Sequence, residues 1–173
     1  ELIVRAGFRV KRWIIDRLLQ HHGKVIAWVL GGNHDRDTSV LLGLALEALY
    51  DKESRLSIEV SASPFRMLEF GNVLIGSAHG DRISAEGLGG VMSSNWPEEW
   101  GRTKHRVWYT GHVHHDSVKE VPGCLVESVR TIAPKTSWEF SRGYNAMRDL
   151  KCDLWHKSEG RCSRVVRSVI GAK

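Results

Sequence analysis

The chain has 173 residues, 42% of them apolar, and 25 Lys and Arg against 20 Asp and Glu leave a formal net charge of +5. That length suits one compact domain with its own core and excludes a disulfide-stapled miniprotein. Mean hydropathy is −0.28 and charged residues enter every long stretch, so no run of about 18 apolar residues is present to cross a bilayer.

Phe8, Ile15, Leu18 and Leu19 recur at helical spacing among Arg and Lys residues, and His21-His22-Gly23 closes the segment as a helix end should. An amphipathic helix is predicted there. Residues 24–30 (KVIAWVL) form a continuous β-branched and aromatic run, the pattern of a strand covered on both faces, and it stops at Gly31-Gly32. Asp37, Thr38 or Ser39 is placed to cap the next helix, with Leu41, Leu44, Ala45, Ala48 and Leu49 as its inner face and Asp51-Lys52 as its end. Short strands follow at 56–60 and 65–70, then a Gly71-Asn72 turn and an apolar strand at 73–77. Residues 84–94 read as a helix weakened by three glycines, and a Trp-rich stretch leads into a strand ending at Tyr109-Thr110-Gly111. From Val118 on the chain alternates as strands, with tight turns at Pro122-Gly123 and Ser158-Glu159-Gly160. The class is α/β in a single domain, with no repeat, low-complexity tract or linker.

Three polar clusters each follow a strand-like run: Gly32-Asn33-His34-Asp35, His79-Gly80-Asp81 and Gly111-His112-Val113-His114-His115. Parallel strands ending on one sheet edge bring such clusters into one site. His112 and His114, two apart in extended chain, would project to the same side as a pair of imidazole ligands. Each cluster alone also has a plainer reading, since Asn and Asp favour turns and helix caps for backbone reasons. The coincidence of all three behind buried strands is what favours a metal site.

In that order, the three clusters resemble the last three of the five signature blocks of the calcineurin-like metallophosphoesterases, over residues 25–129. The resemblance implies part of an α/β/β/α sandwich with metal ions at its strand ends. It implies Asn33, His79 and His112 as ligands of one metal and His114 as a ligand of the other. His34 would then stand by the substrate, stabilising the phosphate or protonating the leaving oxygen, with Asp35 orienting its imidazole. Asp81 is either the partner that orients a ligand histidine or a solvated turn carboxylate. Mixed nitrogen and oxygen donors suit Mn, Fe, Zn or Co. The implied reaction is hydrolysis of a phosphate mono- or diester by metal-activated water.

The family's first blocks, Asp-x-His and Gly-Asp-x-x-Asp, have no counterpart before Gly31, and Ala78 stands where the family usually has glycine. The chain also opens on Glu1 rather than Met. An N-terminally truncated domain that lacks its first strands is therefore expected, with two metals in the complete family site and one here. A sheet edge would then be left for a missing segment, a partner or an oligomer to cover. The alternative is a non-catalytic module that keeps a single metal site.

The stretch from Trp96 to His112 is also similar to phage- or prophage-borne members of the family. A pI near 9.3 favours anionic partners. Arg82, Arg102, Lys104, His105 and Arg106 beside Trp96, Trp100 and Trp108 read either as a single-stranded nucleic-acid surface or as packing groups and a solvated turn. No membrane partner is expected. Cys124, Cys152 and Cys162 are odd in number and lack Cys-x-x-Cys spacing, so they read as reduced thiols of a cytoplasmic protein.

Overall fold

A computed structural model describes residues 2–134, 137–143, 145 and 147–169, with side chains except those of Ile3, Trp138 and Glu139. The chain divides into two compact units, Glu1–Pro64 and Phe65–Lys173. The class is mixed α/β, as the patterning predicts.

The first unit is built from α1 (Leu2–His21), β1 (Val25–Trp28), α2 (Arg36–Leu49) and β2 (Leu56–Glu59). β1 and β2 pair in parallel, Val25 opposite Leu56 and Trp28 opposite Glu59. α1 buries Ile15 and half-buries Phe8 and Leu19. Arg55 Nη1 satisfies the Leu19 carbonyl near its C-terminal end at 2.9 Å. The Tyr50 hydroxyl donates to Asp16 Oδ1 at 2.6 Å, tying the residue after α2 to α1. Burial, then the Asp16 carboxylate, pushes this phenol up to about 12.

Three expectations change here. β1 is not covered on both faces: Val25 is buried, whereas Ile26, Ala27 and Trp28 are half-buried, because its sheet has two strands among the described residues. The N-cap of α2 is Asp35 rather than residues 37–39, and its carbonyl takes the first helical bond from Ser39 N at 2.8 Å. The buried line of α2 is Ser39, Gly43 and Leu46, while Leu41, Leu44 and Leu49 face outward. Gly43 sets that rotation. A Cβ there would meet Val60 Cγ2 at 2.7 Å, so the helix backbone packs directly on the end of the β2 segment.

The second unit carries a five-stranded mixed sheet in the order β3-β4-β5-β7-β6, formed by β3 (Phe65–Phe70), β4 (Val73–Ala78), β5 (His105–Thr110), β6 (Ser117–Val121) and β7 (Cys124–Ser128). β4, β5 and β7 run parallel, and antiparallel β3 and β6 close the edges. The Gly71-Asn72 and Pro122-Gly123 turns form where predicted, with Gly71 at φ 59° and Gly123 at φ 82°. α3 (Ala85–Asn95) lays Leu88 and Met92 on Leu74, Ala78, Trp108 and Val126 to make the core. Gly89 lets α3 approach, since a Cβ there would sit 3.0 Å from the Pro122 carbonyl. Trp108 is fully buried and donates its indole N–H to the Leu88 carbonyl at 2.9 Å.

α4 (Pro97–Arg102) occupies the Trp-rich stretch, and a one-turn α5 (Ser137–Ser141) interrupts the expected run of strands. β8 (Asp149–His156) and β9 (Gly160–Ser168) form an antiparallel hairpin with a bulge at Leu154/Trp155. On the sheet face opposite Trp108, the alternate residues Tyr109 and Glu127 meet this hairpin. Glu127 is fully buried between Arg161 and Arg164, which also pair with Asp153. The Tyr109 hydroxyl donates to Asp153 as well. Burial raises the Asp153 carboxyl, but Arg164, Tyr109 and Arg161 outweigh it and hold the group below the usual carboxylate range.

Candidate metal centre

In the second unit, strand register dictates which residues meet. β4 and β5 are parallel with Ala78 opposite Thr110. The ladder continues one bond further, Gly111 N–H to the His79 carbonyl at 3.0 Å. His79 therefore stands beside Gly111, one residue from His112. Their rings are 5.1 Å apart between centroids and edge-to-face at 70°. His79 is half-buried and His112 exposed, so the pair opens to solvent.

His112 and His114 do not lie in extended chain as their spacing suggests. Both take the left-handed conformation, His112 at φ 63° and His114 at φ 57°. Val113 N–H bonds back to the Gly111 carbonyl at 2.7 Å, so residues 111–113 form a strained γ-turn centred on His112. Each such non-glycine residue costs on the order of 1–3 kcal/mol, and such strain clusters at functional sites. The turn rotates the His112 ring out of strand register and puts it against His79.

A ring nitrogen binds a zinc-like ion at about 2.0–2.1 Å, which puts the ring centroid about 3.2 Å from the ion and lets two rings share it at separations up to about 6.4 Å. The observed 5.1 Å lies within that bound, which is a condition that a shared ion requires and not a sign that one is held. Among the described residues, no three His, Cys, Asp or Glu side chains form a group able to hold one. Asp81 lies half-buried in the loop after β4, two residues past His79. His115 is turned back on its own loop, its Nδ1 2.9 Å from the Val113 carbonyl.

In the first unit, Asn33 and His34 are exposed in the turn after β1, behind buried Gly32. Asp35 closes that turn: Oδ1 accepts from Gly32 N–H at 2.6 Å and Oδ2 from the Ser39 hydroxyl at 3.1 Å. Both carboxylate oxygens thus serve the turn and the start of α2.

No protein-family model matches the chain, and no curated protein matches it. Two solved structures are similar in backbone. One is wild-type Vps29 from Entamoeba histolytica complexed with Zn2+, at 16% identity and a TM-score of 0.45, covering 91% of this chain and 88% of that one. The other is a single mutant of Vps29 from the same organism, at 15% identity and a TM-score of 0.45, covering 92% and 89%.

Several residues of the aromatic and basic stretch after α3 make internal contacts. Trp108 is in the core with the edges of Trp96 and Phe65 against it, at 6.5 and 5.7 Å. Arg106 lies 4.1 Å over the Trp100 ring and donates to the carbonyls of Trp100, Thr103 and Gly123. Arg102 pairs with Glu69 at 2.9 Å and with Glu98 at 3.5 Å. Sequence reasoning missed the charged residues behind the histidine loop. Asp116 pairs with Lys151 and with Arg130, and Arg130 in turn pairs with Asp149. The signal was there: Asp149, Lys151 and Asp153 alternate along β8 and so share one face.

Proposed function

We propose that this chain carries the metal-binding part of a calcineurin-like metallophosphoesterase that hydrolyses phosphate mono- or diesters. The observation that carries the reading is the His79–His112 ring pair, set side by side at the ends of adjacent parallel strands by a strained turn. In this reading His79 and His112 hold a divalent transition metal, with Asn33 and His114 as the further ligands that the motif resemblance assigns. When bound, such a metal supplies a Lewis acid for the phosphoryl oxygens and lowers the pKa of a water nucleophile. His34 gives its proton to the leaving oxygen. Asp35 fixes the turn from which His34 projects. Asp81 orients a ligand histidine.

Nucleic acid is favoured slightly over a small phosphomonoester as the substrate, on the net charge of +5 and on the resemblance of residues 96–112 to phage- or prophage-borne members of the family. A second reading, a non-catalytic module with a single metal, is favoured by the absence of a group of three or more ligating side chains among the described residues beside the His79–His112 pair. Hydrolysis of bis-p-nitrophenyl phosphate with and without added Mn2+ separates the two. Manganese-dependent turnover lost in His34→Ala supports the enzyme. Metal binding without turnover supports the module, and the same turnover in His79→Ala as in the unaltered chain refutes both.

A further inference from the structure

The histidine loop, residues 111–116, is strained at His112 and His114 and clamped at its exit. A turn of this kind persists when its surroundings over-determine it. Its entry is fixed by the ladder bond from Gly111 to His79. At its exit, Ser128 Oγ donates to the His115 carbonyl at 2.6 Å and lies 3.0 Å from Ser117 Oγ. Behind these sits a charge-balanced cluster. Asp116 Oδ1 pairs with Lys151 Nζ of β8, and Asp116 Oδ2 lies 3.3 Å from Arg130 Nη1. The same nitrogen pairs with Asp149, whose side chain is 2% exposed. Two carboxylates thus face two cations, and each shielded charge is compensated by its neighbours.

Anchoring the hairpin does not by itself account for Asp116. The same hairpin is already held by the cluster of Glu127, Asp153, Arg161 and Arg164, whose partners include no residue of the histidine loop. Asp116 is the charged residue that the loop itself contributes. From this we infer that Asp116 is a positioning residue: its ion pairs with Lys151 and Arg130 hold the loop in its left-handed turn and keep the His112 ring at His79. The consequence for metal binding rests on the function proposed above, whereas the consequence for the turn does not.

Lys151→Met and Asp116→Asn each break the pair, Lys151→Arg restores the cation, and Arg164→Met loosens the hairpin through the other cluster. The Val113 amide reports the turn by its exchange with water in NMR, and titration with Zn2+ reports the histidine pair. In Lys151→Met and Asp116→Asn, Val113 should exchange several-fold faster and Zn2+ should bind roughly ten- to a hundredfold more weakly, the loss typical when groups orienting a ligand are removed. Lys151→Arg should recover both, and Arg164→Met should lower thermal stability without moving either. Unchanged Val113 exchange in folded Lys151→Met and Asp116→Asn overturns the inference. So does Arg164→Met loosening Val113 equally, since hairpin docking as a whole would then hold the loop. Faster Val113 exchange with no zinc bound by any form, the unaltered chain included, keeps the positioning role and overturns the metal reading instead.

Discussion

Arg164→Met tests how the hairpin is held. Arg164 reaches Asp153 through two bonds, Nε to Oδ1 and Nη2 to Oδ2, both at 2.6 Å, and Nη2 lies 2.5 Å from Oε2 of fully buried Glu127. Methionine keeps most of the side-chain length and removes the charge, leaving Glu127 to Arg161 alone. Removing one partner of a buried pair costs about 3–5 kcal/mol, because the other charge stays behind in a poorly solvating site. Arg161 still compensates Glu127, so the lower end, about 3 kcal/mol, applies. At roughly 2–4 °C per kcal/mol for a chain of this size, the thermal midpoint should fall by about 6–12 °C. Thermal unfolding followed by circular dichroism measures it, with Lys119→Met as the control. Lys119 pairs with Glu86 across an exposed surface, with half or more of each side chain in water, and its loss should leave the midpoint unmoved. Equal midpoints for Arg164→Met and the unaltered chain would refute the claim that the buried cluster holds the hairpin.

Gly76→Ala places a methyl 2.6 Å from Trp108 Cε3, against a ring with no exposed surface. Overpacking should cost about 1–3 kcal/mol by urea denaturation, and a neutral result would show that the Trp108 ring has room to shift. Asp153 has a folded pKa below its unfolded value of about 3.9, so its contribution is complete above that value and is lost as pH falls through the folded pKa. Stability of the second unit should therefore drop on acidification below about pH 4, and Asp153→Asn should flatten that limb; an unchanged slope would contradict the assigned pairing.

Most element boundaries were legible because turn chemistry marks them: Gly71-Asn72, Pro122-Gly123 and the His-Gly end of α1 all fall where backbone preference puts them. The rotation of α2 was not. Leu41, Leu42, Leu44, Leu46 and Leu49 surround that helix, so periodicity alone selects no face, and the choice is made by Gly43 approaching Val60. α4 was readable from Pro97 at its start, Glu98 and Glu99 in its first turn and Arg102 in its last, but the stretch was read through its tryptophans and basic residues and no helix was assigned. At the candidate site, the residues were visible as types after strands, and the β4–β5 register explains why His79 and His112 meet. The left-handed turn was hidden, because positive φ is uncommon in any non-glycine residue, and histidine, though enriched there, far more often takes ordinary backbone conformations. β8 misleads for the opposite reason: alternating Asp149, Lys151 and Asp153 looks like a solvated face, yet these charges turn inward and leave Leu150 and Leu154 outside.

The central claim, that His79 and His112 share a divalent ion, is tested most directly by calorimetric titration of Zn2+ into the unaltered chain and into His79→Ala, His112→Ala and His115→Ala. The account predicts binding by the unaltered chain, lost in the first two variants and kept in His115→Ala, whose ring bonds to its own loop. Binding that survives both His79→Ala and His112→Ala, or that falls equally in His115→Ala, would contradict it.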